Sequence, residues 1–276
     1  MNIWETAFDP NNDCITTSDD NSSPYEHSEM YKGVRIRDNW VPFDVYTYQE
    51  GKHRDFINYF GGLPVVSKKT FECLEPHLKE VVEFLPLRHP EEEMYVMNIV
   101  NVIDALDYEK TAIRVLPCGS MEYFDNVYFV KDRIKADEYI FKIPETVTSR
   151  PFVTDRFIEL LDKYNIKGPH LNFRWSYEST CGISDTQIEQ YYKVLKKLRT
   201  QGNQEKFTFS QALMEIKSNK TYRSGEYKLR IQYGDVRLGT LTNECKIAWR
   251  RLHYITPKLE GLLWHEDDTN DFGEFV

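Results

Sequence analysis

The chain has 276 residues and a formal net charge of −9, with 29% charged and 14% aromatic residues, a balance expected of a folded protein rather than a disordered polyelectrolyte. That length suits one large core or, more typically, two domains. No apolar run reaches the roughly eighteen residues of a membrane span, and the N-terminus lacks a basic segment followed by an apolar one, so the expectation is a cytoplasmic protein with no membrane partner.

Residues 8–29 are rich in Asp, Asn and Ser and read as a loop or polar N-terminal arm. FDVYTYQ alternates weakly as a strand does, and FGGLPVV joins a glycine turn to a further element. Ser67 is suited to cap an amphipathic helix carrying Phe71, Leu74 and Leu78, whose second half Pro76 places in question. VVEFLPLRH and EMYVMNIVNVI then read as two β-rich segments, and NVYFVKDRI and YIFKIPE as two more. VTDRFIELLDKYNIKG reads as a helix capped by Thr154 and stopped by Gly168.

Past a boundary near residue 180, Ser184 with Gln187 and Thr208 with Gln211 each form the signature of a capping box. The first of these helices turns Ile188, Tyr191, Leu195 and Leu198 inward. EYKLRIQYGDVRLGTL alternates around a Gly-Asp turn as a hairpin, and KIAWRRLHYI supplies one more strand. These elements predict an α+β protein: a mainly antiparallel sheet with peripheral helices over residues 1–180, and a smaller α+β module over residues 181–276 in which two helices precede a hairpin.

Asn98, Asn101, Asp104 and Asp107 recur every third residue and raise the question of a catalytic or metal-binding row. The Val-, Ile- and Tyr-rich surroundings favour a strand, which sends Asn98 and Asn101 to opposite faces and leaves Asp104 and Asp107 at its exit as turn residues. Phosphate-binding loops, nucleophile elbows, zinc-binding helix motifs and kinase-type catalytic loops are missing from the sequence. His170 is the histidine most worth locating, with a loop or core role expected. The five cysteines (Cys14, Cys73, Cys118, Cys181 and Cys245) are scattered singly, as in a reducing compartment, and no metal or other cofactor is expected.

The charge is uneven. Residues 185–260 carry eight acids and fifteen bases, whereas the last sixteen residues carry five acids and no base. The basic stretch admits a nucleic-acid face built from Lys228, Arg230, Arg250 and Arg251, or, more simply, bases on the wet side of a sheet, facing the chain's own acidic body or tail.

The ordered phrases LPVVS, LEP, VEFLPL, YVMNIVNVIDALD, IFKIP and VTDRF, spread over about residues 60–170, resemble the eleventh catalogued family of bacterial polymorphic-toxin immunity proteins. Asp104 and Asp107 fall inside the motif. The resemblance implies a non-enzymatic protein that binds a cognate protein toxin and neutralises it by occlusion. The acids of the N-terminal arm and the tail residues Glu266, Asp267, Asp268, Asp271 and Glu274 are the candidate contacts with a basic toxin. Two other readings are a nucleic-acid-binding or regulatory protein acting through the basic module, and an enzyme that reverses a toxin's modification of its target.

Overall fold

The computed structural model describes residues 1–17, 31–59, 63–180, 182–200, 205–216 and 220–267. In chain order its strands are β1 (Asn2–Ala7), β2 (Asn12–Thr17), β3 (Val45–Gln49), β4 (His53–Asn58), β5 (Val65–Ser67), β6 (Val82–Leu87), β7 (Met94–Ile99), β8 (Ala112–Val115) and β9 (Met121–Asn126). They continue as β10 (Ile140–Phe141), β11 (Phe152–Thr154), β12 (His170–Ser176), β13 (Tyr222–Ser224), β14 (Tyr227–Gln232), β15 (Asp235–Leu241), β16 (Ile247–Arg251) and β17 (His265–Glu266). The α-helices are α1 (Lys68–Leu78), α2 (Asp155–Lys163), α3 (Asp185–Thr200), α4 (Phe209–Glu215) and α5 (Pro257–Glu260). The architecture is α+β, and β2 on β4 is the one parallel pair among these strands.

Packing divides the chain into two compact units. The first comprises Met1–Ala105 with Lys131–Glu178, and the second comprises Leu106–Val130 with Ser179–Val276.

The first unit is built on a six-stranded sheet in the order β3-β2-β4-β5-β7-β6. Its two edges meet. Val45 N–H donates to the Arg88 carbonyl at 2.8 Å and Arg88 N–H to the Phe43 carbonyl at 3.0 Å. A two-pronged ion pair reinforces the join, with Arg88 Nε 2.6 Å and Nη2 3.0 Å from the Asp44 carboxylate oxygens. The sheet is thereby curled into a partly closed barrel, which removes much of the edge that an open sheet would expose.

Ile15, Val45, Ile57, Val65, Leu85, Leu87, Met94 and Val96 form one core on the sheet. Phe56, Val66, Val82, Phe84, Met97 and Ile99 form another, against Leu74 and Leu78 of α1 and Phe157, Leu160 and Leu161 of α2. VEFLPL reads as a near-continuous apolar run because β6 contributes to both cores, each buried aliphatic side chain contributing about 1.5–3 kcal/mol.

Residues 31–43 form a strap fastened to this sheet by buried polar groups. Glu83 and Asn98 are register partners on β6 and β7, and Asn98 Nδ2 donates to Glu83 Oε2 at 3.0 Å. Glu83 Oε2 also accepts from Ile36 N–H, while Asn98 Nδ2 donates to the Val34 carbonyl. Lys142, buried to 1% exposure, donates to the carbonyls of Tyr31 at 3.2 Å and Val147 at 2.8 Å. Tyr31, Ile36, Trp40 and Phe43 then pack on the first core. The unit also holds a four-stranded sheet in the order β10-β11-β1-β12.

The second unit carries the antiparallel sheet β16-β15-β14-β13-β17 and the hairpin β8-β9. Trp249 N–H of β16 donates to the Gly119 carbonyl between β8 and β9, at 2.9 Å.

Several local expectations are corrected. β2 lies inside the stretch read as a loop, and the NVYFVKDRI stretch holds the end of β9 followed by a 3-10 turn at Lys131–Arg133. Helix α1 runs through Pro76, which removes one N–H donor while Leu74 and Leu78 stay buried. The stop of α2 is Asn165, at φ +50°; a Cβ at Gly168 would lie 2.7 Å from Leu161 Cδ1, so a larger residue there would make that side chain shift. Thr154 stands at the N-cap of α2, but its hydroxyl donates to the Glu138 carbonyl instead. Ser184 caps α3, whereas the Gln187 side chain reaches Asn243. Thr208 and Gln211 do form the reciprocal box. The hairpin turns on Tyr233 and Gly234, both at positive φ, and Asp235 is already in β15.

Burial pulls Lys142 from the ordinary lysine value of 10.5 down to about 7. Between about pH 7 and the ordinary range the unfolded chain then binds more protons than the folded one, so this residue makes stability rise with pH across that window. Urea unfolding near pH 7.5 and 9.5 should show the rise in the wild type and lose it in Lys142→Met; an unchanged rise would assign it to other groups. Arg88→Ala should speed amide exchange at Val45 without speeding it in β5 and β7, whereas unaltered exchange at Val45 would show that the join does not need the ion pair.

Candidate functional site

Alternation along β14 sends Lys228, Arg230 and Gln232 to one side of the second unit's sheet and Leu229 and Ile231 to the other. The register sets Arg223 beside Lys228, Arg230 beside Arg237, and Arg237 beside Arg251, so one face carries five cations. The opposite face holds Tyr222, Leu229 and Leu238, packed with Phe209, Ala212, Leu259 and Trp264.

The cationic face is partly covered. Tyr191, Val194, Leu195 and Leu198 of α3 pack with Leu241, Ile247 and Trp249. Arg223 and Lys228 are each 1% exposed, and both meet Asp267: Arg223 Nε and Lys228 Nζ lie 2.9 and 3.0 Å from its Oδ2. Two buried cations thus share a carboxylate that is itself buried, an arrangement that holds β13, β14 and the residue after β17 together.

Beside them, Gly239 stands between Lys228 and Trp249 in the register. A Cβ at Gly239 would lie 2.6 Å from Ile247 Cγ2 and 3.0 Å from the Trp249 ring, so glycine lets the indole approach β15. The Arg230 guanidinium sits over that indole, 3.9 Å from the ring centroid.

The other candidates fall as follows. Arg251 pairs with Asp235 at 2.8 Å, and the buried Arg250 points to the opposite face, beside Leu238. Glu266 is 2.9 Å from Lys220 Nζ. Asp268, Asp271 and Glu274 lie outside the described residues, as does Cys181.

The row of residues spaced by three serves four separate purposes. Asn98 ties the strap, and Asn101 Nδ2 donates to Glu138 Oε1 and the Ile140 carbonyl. The Asp104 carbonyl accepts from Arg133, and Asp107 Oδ1 accepts from the N–H groups of Glu109 and Lys110, shaping a turn. His170 is exposed at the start of β12.

Lys228 faces the chain's own acidic tail through Asp267 but is buried rather than on a wet side, because alternation locates a face but not its covering. Arg223 was overlooked as a partner of Lys228. The available signal was the glycine inside GDVRLGTL, which marks a close approach to that strand.

The geometry defines an α+β protein of two compact units whose sequence-picked residues are largely engaged in holding its own backbone and sheets. Residues 15–173, more than half of the chain, match the Immunity protein family (Imm11), and the chain belongs to that family. The match starts well before the phrases that carried the resemblance, because β2, β3 and β4 belong to the same curled sheet as β5, β6 and β7. No curated protein matches the chain. No helix among the described residues is long and apolar enough to cross a membrane.

Asp267→Ala leaves two buried cations without their shared carboxylate and should cost about 3–5 kcal/mol in urea unfolding. Glu266→Ala should cost at most about 1 kcal/mol, because its ion pair is part-exposed. Equal losses would show that Asp267 is not the keystone of this face.

Proposed function

We propose that the chain neutralises a cognate protein toxin as a stoichiometric, non-enzymatic inhibitor, by binding it and occluding its working surface. Membership of the immunity family carries this reading. The distribution of charge supports it and gives the partner a chemistry. The first unit holds twenty-seven acids and eighteen bases, whereas the second holds seventeen of each, so the whole net charge of −9 resides in the first unit.

A surface of that sign attracts a basic partner, such as a toxin that handles phosphate, and raises the rate of encounter. Of the tail acids, Glu266 and Asp267 already contact Lys220, Arg223 and Lys228. The acidity offered to a toxin is then that of the first unit, which includes the exposed Asp38, Glu50 and Glu91.

The test is a titration of toxin activity with the full chain. A stoichiometric blocker gives a linear loss that ends at one equivalent, and affinity that weakens as salt rises. Protection at far below one equivalent would replace occlusion with turnover, as expected of an enzyme that undoes the toxin's modification. Neutralising Asp38, Glu50 and Glu91 together should slow association several-fold at low salt, a change that calorimetry or surface binding kinetics would read.

A further inference from the structure

Arg237 is the middle one of three arginines aligned across neighbouring strands, with Arg230 as its register partner on β14 and Arg251 on β16. Directly opposed side chains on one face have Cβ atoms about 5 Å apart, and like charges there work against the sheet. The flanking residues have contacts of their own. Arg230 lies over Trp249 and donates to Gln232, and Arg251 pairs with Asp235.

Arg237 differs from both in having no ion pair, side-chain hydrogen bond or ring contact among the described residues, and its Nε, like that of Arg230, is shielded from solvent without a hydrogen-bond partner. Its charge is still felt nearby: the exposed Cys118 thiol is held below the usual thiol value by Ser120 and, to a smaller degree, by Arg237. The site is reachable, since Arg237 is half-buried, the Arg251 side chain is 42% exposed, and Tyr233 at the hairpin tip is 88% exposed.

We infer that Arg237, flanked by Arg230 and Arg251, is the centre of a binding site for a phosphate group. A tetrahedral phosphate offers acceptors to more than one planar guanidinium at once, gives Arg237 the ion-pair partner it lacks among the described residues and offsets the repulsion along the row. The same group comes from free phosphate, a nucleotide or a nucleic-acid backbone. The site lies in the neutral unit and does not depend on the toxin-binding reading of the acidic one.

Thermal unfolding of the full chain in potassium phosphate and in potassium chloride of equal ionic strength tests the proposal. The wild type should melt roughly 2 °C or more higher in phosphate. Arg237→Gln should melt higher than the wild type in chloride, because it relieves the crowding of like charges, and should show a clearly smaller phosphate increment than the wild type, since phosphate also stabilises any folded chain by exclusion from its surface. Equal wild-type melting in the two salts, or an undiminished increment in Arg237→Gln, would overturn the site. Should Arg237→Gln fail to fold, Arg237→Lys keeps the charge without the fork, and an undiminished increment in that variant would overturn the geometry. A nucleoside monophosphate and a single-stranded oligonucleotide, each tested for binding that Arg237→Gln abolishes, then distinguish a nucleotide from a nucleic-acid backbone; binding of neither, with the wild-type phosphate increment present, assigns the site to free phosphate.

Discussion

The join between Val45 and Arg88 is the constraint on which the first unit depends. Backbone groups at a sheet edge need partners, and here the start of β3 and the residue after β6 supply them to each other through Val45 and Arg88. Closing the sheet fixes which side chains face each core, since a shift of one residue would exchange the contributions of β6 to its two sides. It also explains the strap. Residues 31–43 precede β3, so the chain must pass the sheet before it can reach the join, and Glu83, Asn98 and Lys142 fasten its backbone along the way.

Both units place ionisable groups indoors, by different means. Lys142 is held by two carbonyls and gives up charge as its surroundings dry, whereas Asp267 lies between two cations. The first arrangement accommodates one polar group in an apolar setting. The second links three segments that are distant in sequence, and leaves the row of Arg230, Arg237 and Arg251 further along the same face without an equivalent central carboxylate at Arg237.

Much of this fold was legible where local pattern and global role agree. VEFLPL and MYVMNI are apolar nearly throughout because both their sides are covered, and the β14-β15 hairpin alternates because its two sides differ. β2 was hidden by its composition: Asn12 and Asp13 look like loop residues, but Asp13 accepts the Gly51 N–H at 2.6 Å and is buried. The join at Arg88 and the pairing of Asp267 with Arg223 and Lys228 link residues far apart in the chain, and no spacing encodes them. A buried carboxylate in GLLWHEDDTND is written in the same letters as a solvated acidic tail, and a buried lysine in IFKIP differs from an edge lysine only by what surrounds it.

The assignment of residues 106–130 to the second unit alters how the chain can be divided. The chain passes from one unit to the other three times, and the stretch that matches the immunity family contains the β8-β9 hairpin, whose Gly119 carbonyl is bonded to Trp249. A fragment ending where the family match ends would therefore keep that hairpin and discard the strand that holds it. During synthesis the same hairpin emerges long before β16 does, so the sheet of the first unit can be complete while part of the second still waits for its partner. The C-terminal third is thus no appendage to a finished domain, because it completes a structure that the earlier sequence has already begun.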